Sequence, residues 1–355
     1  MTPVRPTAEV AGPTGRRISG RTGWLLALLV VVVAAPFVLS NYHIFQATQI
    51  VVYAIAVLGF NLLTGFSGQI SLGNGAFYAI GAYVAAILMT HGGVPYWATL
   101  PIAGAVCFGV GFLFGRSATR LEGLYLALAT FGLAIALPQI LKLDAIERWT
   151  GGSQGVVLSK PVSPLGMLGD DRWLYFFCLA VAIVLFAVAW NVMRGRTGRA
   201  MIALRDHPIA AGTMGIHVPS YKARVFGLSA AYTGVAGALS ALVAGFVAPD
   251  SFTFLVSIAF LIGGVVGGVA SIFGSLFGAA FIELVPDLTK QVSELWPSWH
   301  WLADVQWPAY GVLLIVTMMM MPGGLAGLVY SVQLRLARRA AAARRAQSPQ
   351  PPPRF

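Results

Sequence analysis

Charge is what this chain has least of. Asp, Glu, Lys and Arg make up only 10% of its 355 residues, and the acids are the scarcer kind, 12 against 23 bases. A soluble domain carries about 25% charged residues, so a water-covered surface of this size is excluded. No charged residue occurs from Thr22 to Gly115. Further uncharged runs cover Gly123–Leu141, Trp173–Met193, Val225–Pro249, Ser251–Ile282 and Val305–Leu334. A bilayer span takes about 20 apolar residues, and in lipid the backbone is satisfied by helices or by closed barrels. The period-two alternation of a barrel strand is missing from these runs. The sequence therefore reads as an all-α polytopic membrane protein.

Other absences narrow the chemistry. There is no GxxxxGK[ST], so no phosphate-cradling loop for ATP. No HExxH motif, nucleophile elbow or pair of catalytic carboxylates is present, which leaves an enzyme reading without support and no cofactor expected in this chain. The two cysteines, Cys107 and Cys178, both lie in apolar runs and read as small core residues. Ion-coupled carriers keep ionisable groups inside their spans. Here Glu283, close before Pro286 and toward the outer end of its stretch, is the one candidate, and it reads as an interfacial acid.

Turn residues divide the apolar sequence into spans. Those expected are 24–40, 46–64, 68–90, 96–115, 123–141, 173–193 and 225–248, then two from a run that starts at Ser251 and splits near Ala270-Ser271, and a last one at Ala309–Tyr330. The first follows Arg16, Arg17 and Arg21 like a signal peptide, but Ala34-Ala35 is a poor cleavage site and further spans follow, so it reads as retained. The count is about 10 transmembrane helices. With both termini cytoplasmic, the inside segments 1–23, 116–122, 194–224 and 331–355 hold 18 of the 23 bases and 3 of the 12 acids, as the positive-inside rule requires. The organisation is then a basic cytoplasmic segment 1–23, a transmembrane domain 24–330 with an external loop 144–172 and a cytoplasmic loop 194–224, and an Arg/Pro-rich tail 331–355 expected to be disordered beyond a frayed, lipid-facing helix.

Glycine is plentiful, 41 residues, many within spans, where small residues allow close helix packing. In the stretch Ser67–Tyr83, glycines alternate with Ser67, Gln69, Ser71 and Asn74. An unpaired amide in hydrocarbon costs several kcal/mol. These groups therefore either pack against other helices or line a path for solute. The basic loop carries a second pattern: Pro208 suits a first helical position and Gly215 the residue after a helix end, leaving about two turns of helix between them. That short helix reads as a docking knob or as an ordinary interfacial helix.

Four segments give these patterns a family likeness: Asn61–Gly65 through Tyr83, Thr150–Gly155, Gly198–Lys222, and Ile262–Gly264 through Ala280. In them the chain resembles the permease subunits of bacterial ABC importers for branched-chain amino acids, in particular the M-type, LivM-like subunit. The resemblance covers about residues 24–330. It implies an inner-membrane, multi-pass permease with two halves of inverted orientation, translocating Leu, Ile or Val. Relatives of the family import urea, amides or other amino acids, and an ion-coupled secondary carrier is the more distant alternative. The family often has His where Asn74 stands and Glu where Gly212 stands. The implied partners are a second, LivH-like permease, two LivG/LivF-like ATPases that would hold ATP and Mg, and an extracytoplasmic binding protein. The resemblance assigns a translocation path to Ser67, Gln69, Ser71 and Asn74. It assigns ATPase coupling to Asp206, Ala210, Ala211, Gly212 and Gly215, the small residues at 210–212 lying where an ATPase groove would close.

Overall fold

The computed structural model describes residues 40–117, 123–163 and 169–295, with residues 36, 37, 121, 311, 315, 319, 324, 325 and 327. Nearly all of the expected spans 24–40 and Ala309–Tyr330, and the segments 1–23 and 331–355, lie outside the described residues.

Helix α1 covers Asn41–Phe60 and continues as a π-helical turn, Asn61–Gly65. After an irregular elbow come α2 (Asn74–Thr90), α3 (Tyr96–Ser117) and α4 (Leu124–Leu141). A short α5 (Asp144–Thr150) and strand β1 (Val156–Val157) lead to α6 (Asp170–Arg194). Helices α7 (Arg196–Asp206) and α8 (Pro208–Thr213) precede the long α9 (Val218–Ala244). Strand β2 (Phe246–Val247) pairs antiparallel with β1, and α10 (Phe254–Gly267) and α11 (Gly274–Leu295) complete the described chain. Among the described residues six helical segments are long and apolar enough to cross a bilayer, and α2 is a shorter apolar helix.

Several boundaries depart from the sequence reading. The span expected at 68–90 is helical only from Asn74, because Gly68 adopts a φ of +71° and the polar residues that follow turn their side chains onto backbone groups. The run from Ser251 divides as expected: Gly268–Phe273 form a turn, with Ala270 in the left-handed region at φ 61°. The 144–172 segment is more ordered than a plain loop, since it opens with helix α5 and its strand β1 is tied to β2 after α9. Within 194–224 most residues are helical, and α9 starts at Val218 rather than Val225.

Helix α9 is the centre of the bundle, packed by α1, α2 and α3. Glycines set these approaches: a methyl group at Gly81 of α2 would overlap the Gly234 carbonyl of α9, and one at Gly237 would overlap the Tyr78 carbonyl. In lipid, helices associate through such close packing rather than through exclusion of water. Ala236, Ala238, Leu239 and Leu242 are fully buried on α9. Cys107 and Cys178 are buried free thiols, as core residues should be. Helix α6 rests on α1 and leaves Ile183, Val184 and Val188 exposed, a surface suited to acyl chains.

Candidate functional site

Helix α1 ends by widening. The π turn at Asn61–Gly65 replaces the tighter α pitch, a feature that recurs at functional sites. Its first residue anchors it: Asn61 is fully buried and its amide Nδ2 donates to the Gly268 carbonyl (3.4 Å), the Ser271 carbonyl (3.3 Å) and Ser275 Oγ (3.0 Å). At its last residue there is no room for a side chain, because a Cβ on Gly65 would come within 3.0 Å of the Ala270 Cα. The end of α1 is thus fitted against the turn between α10 and α11.

The elbow that follows is held by its own polar groups. Thr64 Oγ1 donates to the Gln69 carbonyl (3.1 Å) and the Gln69 N–H to the Leu63 carbonyl (3.2 Å). The Gln69 amide donates to Ser67 Oγ (2.8 Å) and to the Lys222 carbonyl on α9 (3.3 Å). Ser71 Oγ accepts from the Gly73 N–H (3.2 Å), Thr130 Oγ1 of α4 from the Leu72 N–H (2.9 Å), and Ser257 Oγ of α10 from the Gly75 N–H (2.9 Å). These hydroxyls supply what the missing helical turn would have supplied to the first amides of α2. Ser67, Gln69, Ser71 and Asn74 are all buried. Asn74 differs from the other three, because its Nδ2 donor finds no hydrogen-bond partner among the described residues.

The second part of the site is the pair α7–α8. Gly195 ends α6, and a methyl group at Gly198 would overlap the Met193 carbonyl, so α7 turns back sharply. Helix α7 buries Ala200, Met201 and Leu204 and presents Arg199, Arg205 and Asp206 outward. Arg205 Nε pairs with Asp206 Oδ1 at 3.2 Å, and its Nη1 donates to the Gly65 carbonyl at 3.0 Å. Its stem lies across the elbow, where a Cβ on Gly68 would come 2.8 Å from Arg205 Cγ. A cavity of about 180 Å³ separates the two parts, with Ser67 and Gln69 on one wall and Leu204, Arg205 and Pro208 on the other.

The expected site residues therefore fall into three places. Ser67 and Gln69, expected on a solute path, line the cavity that they share with Leu204, Arg205 and Pro208. Ser71 and Asn74 lie deeper, where α2, α4 and α10 meet. Asp206, Ala210, Gly212 and Gly215 are exposed, whereas Ala211 is 5% exposed and packs within its own chain. Of the three small residues expected at the ATPase contact, Ala211 is thus buried by its own chain while Ala210 and Gly212 are exposed. Gly215 closes α8 in the left-handed region at φ +85°, and at Gly212 a Cβ would meet only Val218 at 3.7 Å. The large apolar side chains exposed on this segment are Ile209 and Met214, 86% and 84% exposed. The signal for them was present in the sequence as two large apolar residues in a polar loop. Thr130 and Ser257 carried no comparable signal, since single hydroxyls in apolar helices are common.

A family model described as the branched-chain amino acid transport system permease component matches residues 43–323. The chain is 38% identical over 258 residues to the high-affinity branched-chain amino acid transport system permease protein LivM of Salmonella typhimurium, covering 66% of this chain and 60% of that protein. The Escherichia coli (strain K12) protein of the same name matches to the same extent. The permease protein LivH of Salmonella typhimurium is 24% identical over 212 residues, 53% of this chain and 65% of LivH. The match thus spans less than two thirds of the length of these relatives. No solved structure matches the chain.

Proposed function

The chain belongs to the permease component family of the branched-chain amino acid transport system, and from that premise we propose that it is a membrane-spanning subunit of an ATP-driven importer of Leu, Ile and Val. Its assembly would include a LivH-like second permease, two LivG/LivF-like ATPases and an extracytoplasmic binding protein. ATP and Mg would be held by the ATPases, in keeping with the missing phosphate loop in this sequence. The topology that goes with this reading has about ten spans, both termini in the cytoplasm of a bacterial inner membrane, and halves of inverted orientation. The charge asymmetry between the segments supports it.

One observation carries the reading: an exposed apolar knob, Ile209 and Met214, is linked through Arg205 to the carbonyl of Gly65 at the end of a core helix. A partner pressing on α8 would move α7 and, through Arg205, the π turn of α1. Asp206, Ala210, Gly212 and Gly215 would frame the contact with the ATPase. Ser67 and Gln69 would sense it from the elbow. Ser71 and Asn74 would lie closer to the solute, and Asn74 has a donor to offer. Weak neutral contacts suit a conduit, since tight binding slows release.

The test is solute-stimulated ATP hydrolysis by the reconstituted complex. With the cognate binding protein, leucine, isoleucine and valine are expected to stimulate hydrolysis and urea is not. Stimulation by urea with none by leucine would move the chain to a different solute class.

A further inference from the structure

The cavity between the elbow and α7 holds chemistry that the coupling account leaves unused. Its volume is about 180 Å³. That is room for one small oxyanion and its waters, and it falls short of the about 300–1,000 Å³ of a pocket that encloses a whole small molecule. Among the described residues Arg205 and Lys222 line it and no carboxylate does. Two nearly buried polar side chains complete the wall, Ser67 at 4% and Gln69 at 8% exposure. Gln69 Nε2 already donates to Ser67 Oγ and to the Lys222 carbonyl. Ser67 Oγ accepts there and keeps its own proton to give. Arg205 uses Nε on Asp206 and Nη1 on the Gly65 carbonyl, and its Nη2 has no partner among the described residues. A hydroxyl donor and a guanidinium edge at one cavity select a ligand with several anionic oxygens.

A second observation says what carries those oxygens. The cavity is lined from segments 116–122 and 194–224, which charge places on the cytoplasmic side, the latter with six bases and one acid. Leu121 lines the cavity and is exposed. Three residues on, exposed apolar side chains continue down α4: Leu124, Leu128 and Ile135 are 72%, 55% and 46% exposed. Their i, i+4, i+11 spacing puts them on one face, and Leu126, Thr130 and Ala134 are buried on the other. From Leu124 to Ile135 the helix rises about 16 Å, close to half of the about 30 Å hydrocarbon core. An oxyanion cavity at the head of an apolar stripe one leaflet deep has the outline of a phospholipid.

We propose that this cavity binds the headgroup phosphate of an anionic phospholipid from the cytoplasmic leaflet, with an acyl chain along Leu124, Leu128 and Ile135. The phosphate oxygens accept from Arg205 and from the Ser67 hydroxyl. The basic loop around them favours a headgroup of net negative charge over a zwitterionic one. Because Arg205 also holds the Gly65 carbonyl, a bound lipid steadies the link between α7 and the end of α1. The site does not depend on which solute the assembly carries.

Native mass spectrometry of the whole chain, titrated in detergent with dioleoyl-phosphatidylglycerol and dioleoyl-phosphatidylcholine, tests the site. Phosphatidylglycerol is expected to bind at least several-fold more tightly. Arg205→Gln is expected to weaken it about tenfold or more, the loss of one hydrogen bond between charged groups, and Ser67→Ala several-fold. Asp206→Asn removes the carboxylate that competes for the guanidinium and is expected to tighten it, a gain that a merely structural role for Arg205 would not produce. Leu124→Gln with Leu128→Gln is expected to weaken it, and millimolar inorganic phosphate is expected to leave the lipid bound. Equal binding of the two lipids, or unchanged phosphatidylglycerol affinity in folded Ser67→Ala and Asp206→Asn, would overturn the proposal. Displacement by inorganic phosphate with no effect of the α4 pair would overturn it as well, and make the ligand a free anion.

Discussion

Arg205 and Gly65 are 140 positions apart in sequence, yet the guanidinium of the first donates to the carbonyl of the second at 3.0 Å. The bond joins a surface helix, α7, to the end of a core helix at its π turn. Gly65 in turn abuts Ala270, and Asn61 of the same turn holds Gly268 and Ser271. A displacement of α7 thus reaches the α10–α11 turn through two contacts, without passing through the bulk of the bundle. A hydrogen bond from a charged group contributes about 1.5–3 kcal/mol, enough to bias a two-state element by tenfold or more. Arg205→Gln is therefore expected to keep basal ATP hydrolysis in the assembled complex while cutting uptake per ATP at least several-fold. An unchanged ratio of uptake to hydrolysis would mean the bond carries no coupling.

The elbow makes a backbone prediction. Gly68 combines φ +71° with the Arg205 stem across its face. A side chain there meets left-handed strain of about 1–2 kcal/mol and displaces Arg205 as well. Gly68→Val is expected to lower the melting temperature of the purified chain and to uncouple the complex as Arg205→Gln does. Gly132, where a Cβ meets open space, is the control, and Gly132→Ala is expected to leave both unchanged.

Docking and folding separate at α8. Ile209 and Met214 point outward, so Ile209→Asp with Met214→Asp is expected to prevent co-purification of the ATPases and leave the chain's melting temperature intact. Ala211 points inward, and Ala211→Trp is expected to destabilise the chain itself, by about 1–3 kcal/mol of overpacking. If the Asp pair co-purifies normally, the knob is not the contact.

Sidedness rests on charge alone. Thr197 and Ser159 are both exposed, and single cysteines at these positions, with Cys107 and Cys178 replaced, are expected to label from opposite faces of the membrane. Labelling from one side would dismantle the ten-span topology.

Much of the fold was legible because long uncharged runs have one outcome in lipid. The split near Ala270 was legible because a run of that length exceeds one span and is rich in glycine. The start of α2 was not: from Gly68 to Gly73 the residues are those of a Gly-rich helix, and what stops them being one is Thr130, Ser257 and Lys222, brought from other helices. The short helix α8 was legible through Pro208 and Gly215, whose backbone demands are local. Which side of α8 faces out depends on what α7 covers, so Ala211 could not be sorted from Ala210 by sequence.

The most direct measurement is ATP-dependent uptake of leucine into proteoliposomes containing this chain with its second permease and ATPases, with the binding protein added outside. The account predicts accumulation that requires ATP inside and the binding protein outside, that ends when the ATPases are omitted, and that is indifferent to collapse of proton and sodium gradients. Uptake that persists without ATP and vanishes when those gradients are collapsed would contradict it and make the chain an ion-coupled carrier.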